Sequence, residues 1–251
     1  GNDRITALAH NEGYVEVRDW DRSGKYLNKW DPKRHQFAGG YKYVQNNGKR
    51  WNTLWSQLPD GATQRRFFGI GYFEKHTTYD GLQLVEKIEA PPGNLPALLS
   101  ITRIANTSNL TQQVTLTEFW TANLHMLLPA LVMTHRLKGM FTAWRRRFNR
   151  KFHTYSHVDE QTGVLWAEWH LKIPAKMPDR NKTTWGDYHP NAAFLACLDK
   201  EIHAIFATDG DAFLAENTVA TILDHPVSSH VGNVILAAKR AFTLEPGETR
   251  E

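Results

Sequence analysis

The chain has 251 residues, of which 41% are hydrophobic and 22% are charged, with a formal net charge of +4. This supply of apolar residues and modest net charge can offset the entropy of ordering, which excludes general disorder. The length fits one large all-β domain or two ordinary ones, and no window approaches the roughly 18 continuous apolar residues of a membrane span.

The single cysteine, Cys197, excludes an internal disulfide framework. A lone thiol is compatible with a reducing compartment, so we expect the chain to be cytoplasmic, with the periplasm as the alternative. Residues 1–4 lack the apolar region of a signal peptide, and a leader already removed from a precursor is compatible with this start.

The first 56 residues alternate short strands with turns. Residues 14–20 alternate polar and apolar side chains and predict a strand with one buried face. Gly39 and Gly40 precede an aromatic alternation and indicate a β-bulge or a close backbone approach. Asn46-Asn47-Gly48-Lys49 is the clearest hairpin turn in the sequence.

The same segment is dense in Trp, Tyr, Asn, Asp and Arg. Aromatic rings stack on the apolar faces of sugars while the polar side chains bond the hydroxyls, so this mixture is typical of a carbohydrate site. A tryptophan in a strand is also a common core anchor, and that alternative applies to each residue. The candidate sugar-contacting residues here are Trp20, Trp30, Trp51 and Trp55.

Four short strands separated by turn residues are predicted in the stretch 66–123. The predicted strands are 69–76, 81–89, 97–105 and 111–120. The residues that separate them are Asp80-Gly81, Pro91-Pro92-Gly93-Asn94 and Asn106-Thr107-Ser108-Asn109. Strands at a spacing of roughly 8–12 residues indicate a meander in a large antiparallel sandwich.

The segment 124–152 departs from the β pattern. An apolar stripe at Leu137, Phe141, Trp144 and Phe148 has helical period and predicts one or two helices around 126–152. The segment is also strongly basic, through Arg136, Lys138, Arg145, Arg146, Arg147, Arg150 and Lys151. Three explanations remain open: a solvated face, a surface that docks an acidic partner or a neighbouring domain, or a helix for nucleic acid or a membrane surface.

The remainder returns to β. Residues 163–169 and 233–244 predict strands, and 192–198 with 203–208 predict a hairpin around a turn at 199–201. Overall the chain is predicted to be mainly β, a large antiparallel sandwich with one or two inserted helices, and residues 1–251 are expected to form a single domain. The turn after the last long strand resembles a domain boundary, so we expect the natural chain to continue.

The sequence contains no nucleophile elbow, phosphate loop, dinucleotide fingerprint or zinc-protease helix. His153 and His157 have a spacing that could place two metal ligands on one helical face, but without a third ligand chance explains it better. Glu118, Glu168 and Asp187 are carboxylates among apolar or aromatic neighbours, and they do not form an identifiable glycosidase pair. We therefore predict no catalytic residue, no metal site and no cofactor in this chain.

A series of motifs suggests a known family. The motifs are Gly13-Tyr-Val, Gly24-Lys-Tyr-Leu, Gly40-Tyr-Lys-Tyr, Trp51-Asn-Thr-Leu-Trp-Ser, Arg66-Phe-Phe-Gly-Ile-Gly-Tyr, Ile104-Ala-Asn-Thr-Ser, Val114-Thr-Leu-Thr-Glu-Phe-Trp and Leu244-Glu-Pro-Gly-Glu. In this order they resemble the N-terminal β-supersandwich domain of glycoside hydrolase family 94, over nearly the whole chain. That family holds cellobiose and chitobiose phosphorylases and the phosphorylase-like part of cyclic β-1,2-glucan synthase.

The resemblance implies a non-catalytic domain of a longer enzyme that acts on β-linked glucosides by phosphorolysis or transglycosylation. The general acid and the site for inorganic phosphate, a co-substrate, would lie on a following (α/α)6 barrel. The sandwich would support dimerisation and the acceptor-sugar side of the pocket. The implied partners are an oligosaccharide, the C-terminal helical barrel and a second copy of the chain, with no nucleic acid.

One site residue follows from the resemblance. The family has a Gln-Arg-Asn-aromatic motif whose Arg contacts the acceptor sugar, and Asn149-Arg150-Lys151-Phe152 is its best match, with two of the four residues changed. This implies that Arg150 binds substrate. Two other functions stay open: a stand-alone carbohydrate-binding module, favoured by the aromatic segment 14–55, and a scaffold that docks through the basic helix.

Overall fold

The computed structural model describes residues 2, 4–20, 25–31, 36–122, 125–126, 152–159, 161–171, 192–198, 204–209, 227–230 and 234–251. The strands of the first half are β1 (Ile5–Ala9), β2 (Val15–Asp19), β3 (Lys25–Asn28), β4 (Gly39–Asn46), β5 (Lys49–Asn52), β6 (Thr63–Gly69), β7 (Tyr72–Tyr79), β8 (Leu82–Glu89) and β9 (Leu99–Asn106). The later strands are β10 (Gln112–Thr121), β11 (His125–Met126), β12 (Phe152–Val158), β13 (Leu165–Leu171), β14 (Ala193–Leu195), β15 (Ala204–Asp209), β16 (Val227–His230), β17 (Val234–Leu244) and β18 (Thr249–Arg250). A single 3₁₀ turn, Trp55–Gln57, follows β5.

These strands form four sheets, and the pairings between them are antiparallel. The first sheet has the order β1-β2-β3-β11, and the central sheet has the order β15-β17-β10-β4-β5. The meander sheet runs β18-β9-β8-β7-β6, and the fourth sheet runs β14-β13-β12-β16. The predicted mainly β, antiparallel class is therefore confirmed.

Two hairpins have the turns that the sequence predicts. Asn47 and Gly48 connect β4 to β5 with φ values of 46° and 83°. Asp80 and Gly81 connect β7 to β8 with φ values of 49° and 77°. Left-handed φ at both central residues matches the right-handed twist of the flanking strands, which is why Asn-Gly and Asp-Gly are favoured there.

The predicted irregularity at Gly39 and Gly40 is also confirmed. The register between β4 and β10 shifts between Phe119 and Trp120, opposite these glycines. A Cβ atom on Gly39 would lie 2.7 Å from the Phe119 carbonyl oxygen, and one on Gly40 would lie 2.9 Å from the Trp120 ring. Any larger residue would therefore push β4 away from β10 at this bulge.

The central sheet and the meander sheet pack face to face. Alternate residues of each strand point into this interface, as the pleat requires. Their apolar contacts form a cluster, hereafter the apolar cluster, made of Val44, Trp51, Leu82, Leu84, Ile104, Val114 and Leu244. On its opposite face the central sheet packs Tyr41, Phe119 and Ile235 against Tyr14.

Two local expectations are wrong. The predicted strand 69–76 contains a turn, because β6 ends at Gly69 and β7 begins at Tyr72. The segments 192–198 and 203–208 do not form a hairpin: β14 pairs with β13, whereas β15 pairs with β17 over six residues. The long apolar strand β17 offers β15 a more extensive ladder than a local partner, so tertiary pairing overrides the turn signal.

The helical segment predicted around 126–152 falls mostly outside the described residues, with its two end residues, Met126 and Phe152, in strands β11 and β12. No helix within the described ranges is long and apolar enough to cross a membrane.

Candidate functional site

The four candidate tryptophans differ in exposure. Trp20, Trp30 and Trp55 are 50%, 39% and 48% exposed, whereas Trp51 is only 6% exposed. Trp51 packs in the apolar cluster, with its ring 5.4 Å from that of Tyr79 in an edge-on arrangement. The core alternative thus describes Trp51, and the other three indoles can meet a ligand. Arg150, the substrate contact implied by the resemblance, lies outside the described residues.

Trp30 and Trp55 both lie near the turn between β1 and β2. Strand pairing places Asn28 opposite Val17, so Trp30 lies at the turn end of β2. Trp20 follows the opposite end of β2, where its indole nitrogen donates to the Thr6 hydroxyl at 2.9 Å. The residues around the turn, hereafter the turn site, are His10, Glu12, Tyr14, Glu16, Trp30, Trp55 and Arg66, of which Tyr14 and Glu16 are buried.

On one side of the turn, Trp55 is held by Glu12 and Arg66. Its backbone N–H donates to the Glu12 carbonyl oxygen at 2.9 Å. The Glu12 carboxylate accepts a hydrogen bond from the Ser56 backbone N–H at 2.8 Å and another from the Ser56 hydroxyl. The Arg66 guanidinium lies 4.0 Å from the Trp55 ring centroid, where the negative face of the indole attracts it. Trp55 therefore offers a ring with a cation and a carboxylate beside it.

On the other side of the turn, Trp30 is fixed through Glu16. The Trp30 backbone N–H donates to Glu16 Oε1 at 3.1 Å, and the second carboxylate oxygen lies 3.5 Å from His10 Nε2. The His10 and Tyr14 rings stack with centroids 4.3 Å apart. Trp30 connects to this pair through Phe37, whose ring lies 6.2 Å from Trp30 and 5.1 Å from Tyr14.

Tyr14 keeps its proton at neutral pH. Burial, followed by the negative charges of Glu16 and Glu12, raises the pKa of Tyr14 to about 12. A phenolate beside two carboxylates would be poorly solvated and repelled, which is the physical cause of the shift. The turn site thus combines a neutral phenol with two carboxylates rather than a nucleophilic oxygen.

The arrangement suits a ligand with apolar faces and many hydroxyl groups. Two partly exposed indoles lie near a polar turn, and the Glu12 carboxylate and the Arg66 guanidinium lie beside one of them, Trp55. Sugars present C–H faces that stack on indoles and hydroxyls that bond to such polar groups. In the part of the chain that the structure describes, no group of three or more His, Cys, Asp or Glu side chains could hold a metal ion.

Beneath the turn site lies a second polar feature, between the central and meander sheets. We call it the buried charge network; it consists of Lys42, Lys75, Glu86 and Glu118. Lys75 Nζ lies 3.0 Å from Glu86 Oε1, and both side chains are essentially inaccessible. Lys42 Nζ lies 2.6 Å from Glu118 Oε2. Burial lowers the pKa of Lys75 because it disfavours the ammonium form, although the charge of Glu86 opposes this effect.

The carboxylates considered in the sequence have separate environments. Burial alone would raise the pKa of Glu118, but the Lys42 ammonium and hydrogen bonds from Ser100 and Trp120 outweigh it and hold the pKa below its usual value. Glu168 is partly exposed, and its Oε2 lies 3.1 Å from His170 Nε2. Glu118 lies on β10 of the central sheet and Glu168 on β13 of the fourth sheet, whereas Asp187 is outside the described residues.

The histidine pair is not a metal site of the kind its spacing suggested. His153 and His157 lie on β12 rather than on a helix. Four residues along a strand span about 13 Å, which is too far for two side chains to ligate one ion. The chance explanation agrees with this placement.

Several turn-site residues were not singled out by sequence reasoning. No spacing pattern in the sequence marks Glu12, Glu16 or Arg66. Arg66 is more than fifty residues from the turn in sequence and reaches it only through the packing of β6. The one available signal was Asn11-Glu12-Gly13, a polar turn followed directly by the aromatic Tyr14.

No family model matches the chain, and no curated protein sequence matches it significantly.

Proposed function

We propose that this chain is the non-catalytic sandwich domain of a carbohydrate-active enzyme that acts on β-linked glucosides, and that the turn site contacts the sugar chain. The observation that carries the proposal is the placement of Trp30 and Trp55, partly exposed, on the two sides of one polar turn. The family 94 resemblance supports the enzyme class. In such an enzyme the sandwich would support dimerisation and the acceptor-sugar side of a pocket whose catalytic groups lie on a C-terminal helical barrel.

Calorimetry of the 251-residue chain tests the binding step. The probes are β-1,2-, β-1,3- and β-1,4-linked glucose tetrasaccharides. We expect saturable binding that is lost in Trp30→Ala and in Trp55→Ala, with the circular dichroism spectrum unchanged. Trp20→Ala is the matched control, since this indole is equally exposed but lies at the other end of β2. Equal loss of binding in all three variants, or no binding by the wild type, contradicts the turn-site assignment.

A second measurement tests the enzyme class. The full-length protein is assayed with β-linked glucobioses for consumption of inorganic phosphate. Phosphorolysis requires stoichiometric loss of phosphate, and transglycosylation gives longer products without it. Arg150→Ala is expected to raise the KM for the acceptor sugar if this residue fills the role that the resemblance implies. A full-length protein that neither consumes phosphate nor elongates glucosides contradicts this part of the proposal.

The stand-alone carbohydrate-binding module is a second candidate. The observation in its favour is that the described turn-site residues all belong to 10–66, so binding would require no other domain. Binding by the isolated chain, without any turnover by the full-length protein, would favour the module over the enzyme domain. The third possibility, a scaffold docking through the basic segment, concerns residues outside the described ranges and stays a prediction.

A further inference from the structure

We infer that Lys75 is a positioning residue, which holds the two sides of the turn site in place from inside the sandwich. Its ammonium nitrogen lies 3.0 Å from each of three oxygens: the Gly13 carbonyl, the Thr53 hydroxyl and Glu86 Oε1. An ammonium group has three donors, and these three contacts use all of them. These three contacts therefore fix the position of the Lys75 ammonium group.

Two of these contacts reach the turn site directly. Gly13 lies between Glu12 and Tyr14, and its φ of 106° together with a Cβ position 3.2 Å from the Thr53 carbonyl oxygen would make any side chain there strained. Thr53 is two residues before Trp55, whose N–H donates to Glu12. One ammonium thus connects the turn that carries the carboxylates with the segment that carries the exposed indole.

Thr53 extends the connection into the central sheet. Its hydroxyl also contacts Glu86 Oε1 at 3.0 Å and accepts the Lys42 backbone N–H at 3.1 Å. Gln64 donates to the Thr53 carbonyl at 3.0 Å and to the Thr77 hydroxyl at 2.9 Å. The segment before Trp55 is thereby tied to β4, β6, β7 and β8. Its position is determined by these buried polar contacts together with the apolar packing of Leu54, which is fully buried.

The cost of this arrangement argues for positioning rather than for stability. A buried ion pair is often no more stabilising than apolar residues of similar volume. Among the described residues none donates a hydrogen bond to Glu86 Oε2, so the carboxylate is only partly satisfied. Yet the same two sheets pack apolar side chains two positions away along β4 and β8, at Val44 and Leu84. In the buried charge network the charged residues add directional hydrogen bonds, which apolar contacts lack.

The inference about binding rests on the proposed function, but its structural part can be tested without a ligand. Native-state hydrogen exchange reports on the Trp55 amide, bonded to Glu12, and on the Gly13 amide, bonded to the His10 carbonyl at 2.9 Å. The test variant is Lys75→Met with Glu86→Gln, which removes both charges together. Protection of these two amides is expected to fall at least about tenfold, the equivalent of one hydrogen bond.

Leu84→Ala is the control, since it weakens the same sheet interface at the apolar cluster. Protection of the Trp55 and Gly13 amides should stay unchanged in this variant, because they open locally. If the double variant does not fold, Thr53→Val removes one Lys75 partner while Thr53→Ser retains the hydroxyl. A fall in protection in Thr53→Val alone supports the inference. Unchanged protection in the double variant, or equal effects in both Thr53 variants, overturns it.

The binding arm uses the same variants and the three glucose tetrasaccharides. Affinity is expected to fall at least about tenfold in the Lys75→Met/Glu86→Gln variant and to stay within about twofold in Leu84→Ala. A loss of amide protection with undiminished affinity overturns the positioning role for binding. If the wild type binds none of the probes, the proposed function fails, and the exchange measurements still decide whether Lys75 holds the turn.

Discussion

The interface between the central and meander sheets has two regions that are built differently: an apolar end, and a charged region that is bounded on its other side by the buried Phe73 and Ile88. Along β4, Val44 belongs to the apolar cluster and Lys42 to the buried charge network. Along β8, Leu84 belongs to the apolar cluster and Glu86 to the buried charge network. Both members of each pair point into the same interface, because they are two residues apart on a strand. One sheet packing thus combines a region of apolar contacts with a region of directional polar contacts.

The physical difference lies in directionality. Apolar contacts gain free energy from area removed from water, and several side-chain arrangements gain nearly the same amount. Buried charges lose hydration and recover it only when their hydrogen-bond partners are correctly placed. The charged region should therefore be intolerant of losing one hydrogen-bond partner, while the apolar end should respond to lost side-chain volume.

The largest expected effect comes from separating the buried pair. Lys75→Met leaves the Glu86 carboxylate buried and without its cation, so the free energy of unfolding should fall by about 3–5 kcal/mol. Adding Glu86→Leu removes the stranded charge and should restore most of the loss. Urea denaturation at pH 7 measures both variants. If the double variant is no more stable than the single one, the pair is not coupled as the geometry indicates.

A similar or smaller effect is expected at the apolar end. Leu84→Ala creates a cavity in the apolar cluster and should lower the free energy of unfolding by about 2–5 kcal/mol. Leu110→Ala is the control, because Leu110 is exposed in the loop before β10, and it should change stability by no more than about 0.5 kcal/mol. Equal losses of unfolding free energy in Leu84→Ala and Leu110→Ala would show that burial does not determine the effect of removing a leucine side chain.

The contributions of the two regions to stability should also differ in their dependence on pH. The folded-state pKa of Glu118 is below its usual value, so its contribution to stability is present above the usual carboxyl pKa and is lost as the pH falls through the lowered folded value. The Glu118→Gln variant should therefore lose less stability than the wild type as the pH falls below about 5, where carboxyl groups begin to titrate. Leu84→Ala should shift the whole curve without changing its shape. Urea unfolding midpoints measured across this pH range test the prediction. A Glu118→Gln variant whose midpoint falls as steeply with pH as that of the wild type contradicts it.

The smallest effect is expected for an ion pair outside the interface. Arg103 and Glu251 lie 2.8 Å apart, and both side chains are more than half exposed. Solvent screens this pair, so Glu251→Gln should leave the urea midpoint within experimental error at physiological salt. A shift as large as that of Lys75→Met would mean that burial does not distinguish the two pairs.

Local turn chemistry made much of the fold predictable. Asn47-Gly48 and Asp80-Gly81 end their strands because few other residues adopt left-handed φ at low cost, and the chain follows them in the structure. The turn at Gly69 to Gly71 was missed, since the apolar residues on both sides read as one strand. The pairing of 192–198 and 203–208 was predicted wrongly because a turn signal does not identify the best ladder partner.

The candidate site was predictable only as a set of residue types. The aromatic and polar composition of the first segment indicated a sugar surface, but composition cannot distinguish Trp51, which is buried, from Trp55, which is exposed four residues later. Glu12, Glu16 and Arg66 joined the site through strand pairing and the packing of β6.

The sequence by itself determined the β class, the hairpin turns and the bulge at Gly39, because these depend on backbone preferences within a few residues. Only the tertiary structure decided that Lys75 and Glu86 face inward. Alternation along β7 places Lys75 on the same side as the buried Phe73, yet a lysine in a strand is ordinarily interpreted as solvent-facing. Its role depends on Gly13, Thr53 and Glu86, which come from three distant segments and meet only when the sheets pack.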